Sequence, residues 1–140
     1  MVSRVLVVDD EPAVIQMIGC VLEIRGYEVI GARNGHEALR CIEKNRPDLI
    51  ITDLVMPGMN GLDLCRLLKK DPRWVGIPVV VITSATKDSD LADGFWKLGT
   101  AADDFVTKPF DPFEMADRVE RMIKNNNKKK SESQETGGSS

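Results

Sequence analysis

The chain has 140 residues, 42% of them hydrophobic and 29% charged, with a formal net charge of −3 at pH 7. That length suits one ordinary domain, the balance excludes a wholly disordered chain, and the acidic excess argues against a surface built to neutralise nucleic-acid phosphates. No apolar run approaches the roughly 18 residues that a membrane span needs, and the opening MVSRVLVVDDEP is too briefly apolar and too soon acidic for a secretory leader, so a cytoplasmic chain is expected.

Arg4–Val8 is a continuous apolar run, as a strand buried on both faces requires. Pro12 suits the first turn of a helix, where its missing N–H costs nothing; Val14, Ile15, Ile18, Val21 and Leu22 give that helix an apolar stripe, and Gly26 ends it. Glu28–Ala32 reads as a short second strand, and His36–Lys44 as a second helix stopped before Pro47. Asp48–Asp53 is a third strand, followed by the turn MPGMNG and a third helix over Leu62–Lys69. Pro78–Thr83 is a fourth strand without polar alternation, and a fourth helix is expected over Ser89–Leu98, with Leu91, Phe95 and Leu98 on one face. A brief fifth strand, Phe105–Thr107, precedes Lys108-Pro109. The last helix, Asp111–Lys124, should turn Phe113, Ala116, Val119 and Ile123 inward. Residues 125–140 contain no apolar side chain, so a disordered tail or linker stub is expected after a domain of residues 1–124.

Cys20, Cys41 and Cys65 form no CxxC pair, and His36 is the single histidine. This pattern argues against a zinc site or a disulfide framework and for three buried or half-buried free thiols in a reducing compartment. His36 falls at a helix start on an exposed face, far along the chain from the acidic residues. Met17, Met56, Met59 and Trp74 read as packing or surface residues.

Five strand–helix units with apolar strands imply a parallel sheet covered on both faces, and ligand chemistry in such α/β folds gathers at the carboxyl ends of the strands. Strand one ends in Asp9, Asp10 and Glu11, strand three in Asp53, strand four in Thr83 and Ser84, and strand five in Lys108. Asp9 and Asp10 could simply cap the following helix, yet adjacent acids repel, and a cation shared with Asp53 accounts for both. Thr83 alone would be an ordinary β-branched strand residue, Lys108 a solvated loop lysine, and Phe105 a core aromatic.

The motifs VLVVDDE (5–11), LIITDLVMPGMNGLDL (49–64), PVVVITSA (78–85) and DDFVTKPF (103–110) together resemble the receiver domain of two-component response regulators, over essentially residues 3–124. The resemblance implies a flavodoxin-like, doubly wound five-stranded parallel sheet in order 2-1-3-4-5 with five helices. It implies that Asp53 accepts a phosphoryl group from a sensor histidine kinase or histidine phosphotransfer protein in a Mg2+-dependent reaction. Asp10, Asp53 and the backbone carbonyl of Val55 would ligate the ion, with Asp9 acting through water. Thr83 would hydrogen-bond a phosphoryl oxygen, and Lys108, before a commonly cis proline bond, would pair with the acyl phosphate. Phe105 matches the aromatic that turns inward as the threonine moves. Val55 and Ala85 match positions that tune the lifetime of the phosphorylated state. The stretch around residues 94–105 is longer than in common receivers.

Output in such domains often runs through the face formed by the fourth helix, fifth strand and last helix. Asp104, Glu114, Arg118 and Arg121 match residues that pair across a two-fold axis there, with Trp96 at its edge, so a homodimer or a downstream protein partner is expected on this face. Intrahelical Glu114–Arg118 and Asp117–Arg121 pairs account for the same charges. Rival readings carry specific objections: an aspartate-nucleophile phosphatase needs a second Asp where Val55 stands, and a flavin carrier wants hydroxyls where DDEP follows strand one. A receiver used only for binding has no need of the complete site. The chain is also readable as the receiver portion of a longer regulator or hybrid kinase.

Overall fold

The computed structural model describes residues 2–84 and 102–138, with the side chains of Ser84 and of residues 129–138 left aside. Five strands are present, β1 (Arg4–Val8), β2 (Glu28–Ala32), β3 (Leu49–Asp53), β4 (Val79–Ser84) and β5 (Asp104–Lys108). They form one parallel sheet in the order β2-β1-β3-β4-β5, as the resemblance implies. Its three central strands are the three most apolar segments, because only a strand flanked on both edges and covered on both faces can bury every side chain.

Four helices flank the sheet among the described residues: α1 (Pro12–Ile24), α2 (Gly35–Lys44), α3 (Gly61–Lys70) and α4 (Pro112–Gly138). The helix expected over Ser89–Leu98 lies outside them. Leu6, Val8, Ile50, Val79 and Val81 face α2 and α3, packing with Ala38, Ile42, Leu64, Cys65 and Leu68. Their sequence neighbours Val5, Val7, Leu49, Ile51, Val80 and Ile82 face α1 and α4 and meet Ile18, Leu22, Met115, Ala116 and Val119. This alternation is the period of two inherent in a strand, here apolar at every step.

Local signals set the ends. Pro12 opens α1, and Gly26, at φ 91°, turns the chain after it. The Asn34 side chain accepts from the Glu37 N–H at the start of α2. At α3, Asn60 and Asp63 form a reciprocal capping box, each side chain accepting from the other's backbone N–H.

Three expectations need correction. The last helix does not stop at Lys124 but continues to Gly138. Polar composition removed the burial signal, yet no proline or glycine interrupts residues 125–136, and lysine, glutamate and glutamine sustain helix well. Phe113 is 54% exposed rather than inward, because the buried line of α4 runs through Met115, Ala116, Val119 and Ile123. Cys20 is exposed, whereas Cys41 is half-buried and Cys65 buried; all three are free thiols.

Leu68 is fully buried and its neighbour Leu67 is 44% exposed. Leu68→Ala should cost about 2–5 kcal/mol of stability and Leu67→Ala less than about 1 kcal/mol, read from urea unfolding midpoints. Equal losses would mean that α3 presents a different face to the sheet.

Candidate functional site

The register of the central strands decides what meets at the sheet's carboxyl edge. Val8 pairs with Thr52 and Thr83 with Thr107, so Asp9 and Asp53 leave β1 and β3 at one level, with Thr83 and Lys108 beside them. Asp9 is fully buried, Asp53 and Thr83 are nearly so, and Asp10 is exposed. Carboxylate oxygens of Asp9, Asp10 and Asp53 lie within 4.8 Å of one another. Lys108 reaches over them, its Nζ 3.8 Å from Asp53 Oδ1 and 3.9 Å from Asp9 Oδ2. The Lys108-Pro109 peptide bond is cis.

Charge is crowded here. Asp9 Oδ1 accepts from the Glu11 N–H at 2.9 Å, but its buried Oδ2 has no hydrogen-bond partner among the described residues. Burial is the main force that lifts the Asp9 carboxyl above its usual range, and Asp10 and Glu11 add repulsion. The Asp53 carboxyl is pushed up from 3.8 to about 6, first by burial and then by the charge of Asp9; Lys108 works in the opposite direction. One lysine near 4 Å does not balance three carboxylates. Hard oxygen donors in a tight group, one of them a buried oxygen with no hydrogen-bond partner among the described residues, suit a small divalent cation.

The chain between β3 and α3 is held in an unusual way. Gly61 donates its N–H to the Leu54 carbonyl at 2.8 Å, and a β-carbon at Gly61 would fall 2.5 Å from the Asp53 carbonyl oxygen. Helix α3 therefore starts directly against the Asp53 peptide, which only glycine permits. Gly58, at φ 80°, makes the turn that brings the chain round. Sequence reading saw this turn but not the closeness that makes Gly61 necessary.

The remaining predicted residues divide. Val55 is 46% exposed next to the acidic group. Phe105 is half-buried and packs on the α2–α3 side. Met56 and Trp74 are buried, Trp74 lying under the Arg73 guanidinium, while Met59 is half-buried and Met17 exposed. His36 is exposed as expected, yet it lines the same cleft as Asp10, so distance along the chain misjudged its place. Ala85 and Trp96 lie outside the described residues. Asp104 pairs with Arg118 within the chain, and Asp117 pairs with Arg25 of α1, so the anticipated Glu114–Arg118 and Asp117–Arg121 pairs do not form. Four-residue spacing makes a pair available, and a better-placed tertiary partner takes one member of each, Arg118 in the first and Asp117 in the second. Glu114, Asp117, Arg118 and Arg121 line a shallow hollow of about 350 Å3 on the outer side of α4.

Residues 5–120 match the response regulator receiver domain family. The chain belongs to that family. It is 40% identical over 124 residues to the DNA-binding response regulator MtrA of Mycolicibacterium smegmatis, covering 89% of this chain and 52% of the relative. Among solved structures it resembles the signal receiver domain of a signal transduction histidine kinase from Syntrophus aciditrophicus, with a TM-score of 0.79, 38% identity and coverage of 88% of this chain and 91% of that one. The chemotaxis response regulator CheY4 of Vibrio cholerae gives a TM-score of 0.74 at 31% identity, covering 88% of this chain and 99% of that chain. The chain spans about half the length of the curated relatives it matches. Receivers are phosphoryl-accepting signalling domains that work with histidine kinases, and this one presents an acidic group able to hold a metal ion. Among the described residues, no helix is long and apolar enough to cross a membrane.

The crowded carboxylates make a pH prediction for the metal-free protein. A carboxyl with a folded pKa near 6 and an ordinary value of 3.8 is most compatible with folding while protonated, so its contribution is complete below pH 4 and lost as pH rises through about 6. With chelator present, Asp53→Asn should match wild type near pH 4 and exceed it near pH 7 by on the order of 2–3 kcal/mol in chemical denaturation. A variant no more stable at pH 7 than at pH 4, relative to wild type, would show that repulsion is relieved elsewhere.

Proposed function

We propose that this receiver takes a phosphoryl group on Asp53 from the phosphohistidine of a sensor histidine kinase or a histidine phosphotransfer protein, in a Mg2+-dependent reaction. The observation that carries the reading is the close group formed by Asp9, Asp10 and Asp53 with Lys108 within 4 Å of two of them. An Asp53 carboxylate oxygen attacks phosphorus in line with the departing imidazole nitrogen; the O–P bond forms as the P–N bond breaks, and the imidazole leaves neutral because its other ring nitrogen carries a proton. Asp10, Asp53 and the Val55 carbonyl would hold the ion directly, with Asp9 bonding to one of its waters. When bound, Mg2+ supplies positive charge against the phosphoryl oxygens and against the carboxylates. The Thr83 hydroxyl donates to a phosphoryl oxygen and the Lys108 ammonium pairs with another, so both respond to the product. Phe105 turns inward as Thr83 moves, which carries the change to β5 and α4. Water then attacks phosphorus, the bond between phosphorus and the Asp53 carboxylate oxygen breaks, and inorganic phosphate leaves with Asp53 restored, so the domain catalyses its own dephosphorylation without acting on a separate substrate.

The reading places the protein in the cytoplasm, with protein partners and no direct contact with nucleic acid. A second reading, supported by the length of the relatives, makes this chain the receiver portion of a longer regulator or hybrid kinase. The full reading frame decides between them.

Intact-mass measurement after incubation with acetyl phosphate should show one added phosphoryl group only with Mg2+ present, lost at alkaline pH and absent from Asp53→Asn. Asp10→Ala should lower labelling at least a hundredfold, because it removes a carboxylate of the ion site. Undiminished labelling of Asp53→Asn would overturn the assignment.

For output, the face around β5 and α4 would bind a second copy of the chain or a downstream protein once Asp53 is phosphorylated. Asp104 and Arg118 would exchange their internal pair for contacts across the interface, joined by Glu114 and Arg121. Beryllofluoride, which mimics the phosphoryl group, should raise the mass seen by light scattering in wild type and not in Arg118→Glu. A wild type monomeric in both states at high concentration would leave a different protein as the partner.

A further inference from the structure

Residues 55–59 follow β3 and Leu54 directly, and among the described residues no hydrogen bond ties this stretch to the rest of the protein. Below it, Leu54 donates its N–H to Ile82, and above it Gly61 donates to Leu54. Between those anchors the chain is held by packing. Met56 is 5% exposed in the α2–α3 layer, and Met59 packs on that same layer at its edge.

What Met59 touches is specific. A β-carbon built on Gly35, the first residue of α2, would fall 2.5 Å from the Met59 sulfur, 2.8 Å from its Cγ and 2.9 Å from its Cβ. The thioether therefore lies flat on the Gly35 backbone. Because the Met59 Cβ is also in the way, a new rotamer would not make room, and the main chain of residues 55–59 would have to move. The same two segments line a cleft of about 530 Å3, Pro57 from one and Asn34, His36 and Arg40 from the other, together with Asp10. The seat of Met59 on Gly35 fixes how far the loop after Asp53 stands from α2.

We propose that Met59 is a positioning residue for phosphoryl acceptance: seated on Gly35, it sets the loop that presents the Val55 carbonyl beside Asp53 and Asp10. The inference rests on the reading of Asp53 as phosphoacceptor. Displacement of a reacting arrangement by a fraction of an ångström is costly, whereas the substitution that causes it here need not unfold anything, since alanine is the better helix former.

Four variants test it, by labelling rate with acetyl phosphate, calorimetric titration with Mg2+, and melting temperature. Gly35→Ala should label about tenfold more slowly and bind Mg2+ more weakly. Met59→Ala should lose a few-fold, because the loop is less firmly seated. The double variant Gly35→Ala/Met59→Ala should label faster than Gly35→Ala, because truncation removes the two closest clashes and leaves only the 2.9 Å contact. Val119→Ala, in the opposite layer, should lower the melting temperature while its labelling stays within twofold of wild type. Gly35→Ala labelling at the wild-type rate, a double variant no faster than Gly35→Ala, or an equal slowing in Val119→Ala would each overturn the inference. If wild type itself takes no label, the phosphoacceptor reading falls, and Met59 is judged on Mg2+ affinity alone, where an undiminished affinity in Gly35→Ala refutes it.

Discussion

One residue beyond the pairing of Val8 with Thr52, two neighbouring parallel strands each end in an aspartate. Parallel strands bring their carboxyl ends to the same edge, so acids separated by more than forty residues of sequence are set side by side by backbone hydrogen bonds alone. Their repulsion opposes folding. What overcomes it is the burial of the strands behind them, fully apolar on both faces. The apolar sequence of β1, β3 and β4 and the acidic group at their ends are thus two parts of one arrangement: a less deeply buried sheet would not hold the carboxylates so close.

Lys108 completes the arrangement without neutralising it. At 3.8 and 3.9 Å it is near enough to bias both carboxylates and too far for a strong hydrogen bond to either. A lysine engaged more tightly would satisfy Asp9 and Asp53 and weaken their attraction for a cation. The buried Oδ2 of Asp9, with no hydrogen-bond partner among the described residues, fits the same view of a group able to hold a metal ion.

The sheet and most of the site were legible in the sequence for a definite reason. A strand buried on both faces needs an unbroken apolar run, and the residues ending such runs are forced to one edge, so Asp9, Asp10, Asp53, Thr83 and Lys108 could be named from position. Features set by tertiary competition were not legible. Arg118 turns to Asp104 and Asp117 to Arg25, because helical spacing offers partners without deciding among them. The length of α4 escaped because burial, the signal being read, stops at Ile123 while helix propensity continues. Met59 looked like ordinary packing, since nothing in the order of residues shows that Gly35 lies beneath it.

The two helical layers touch the same sheet but pack on opposite sides of it, and consecutive residues of β5 divide between them: Phe105 packs with the α2–α3 layer and Val106 with the α1–α4 layer. Substitutions that reshape one layer therefore leave the packing of the other nearly intact. The loop after Asp53 belongs to the first layer, and the charged outer side of α4 to the second. Mutation on the outer side of α4 can therefore proceed with little effect on the packing that surrounds the loop after Asp53. This modularity within a single small domain comes from the simple alternation of side chains along a strand.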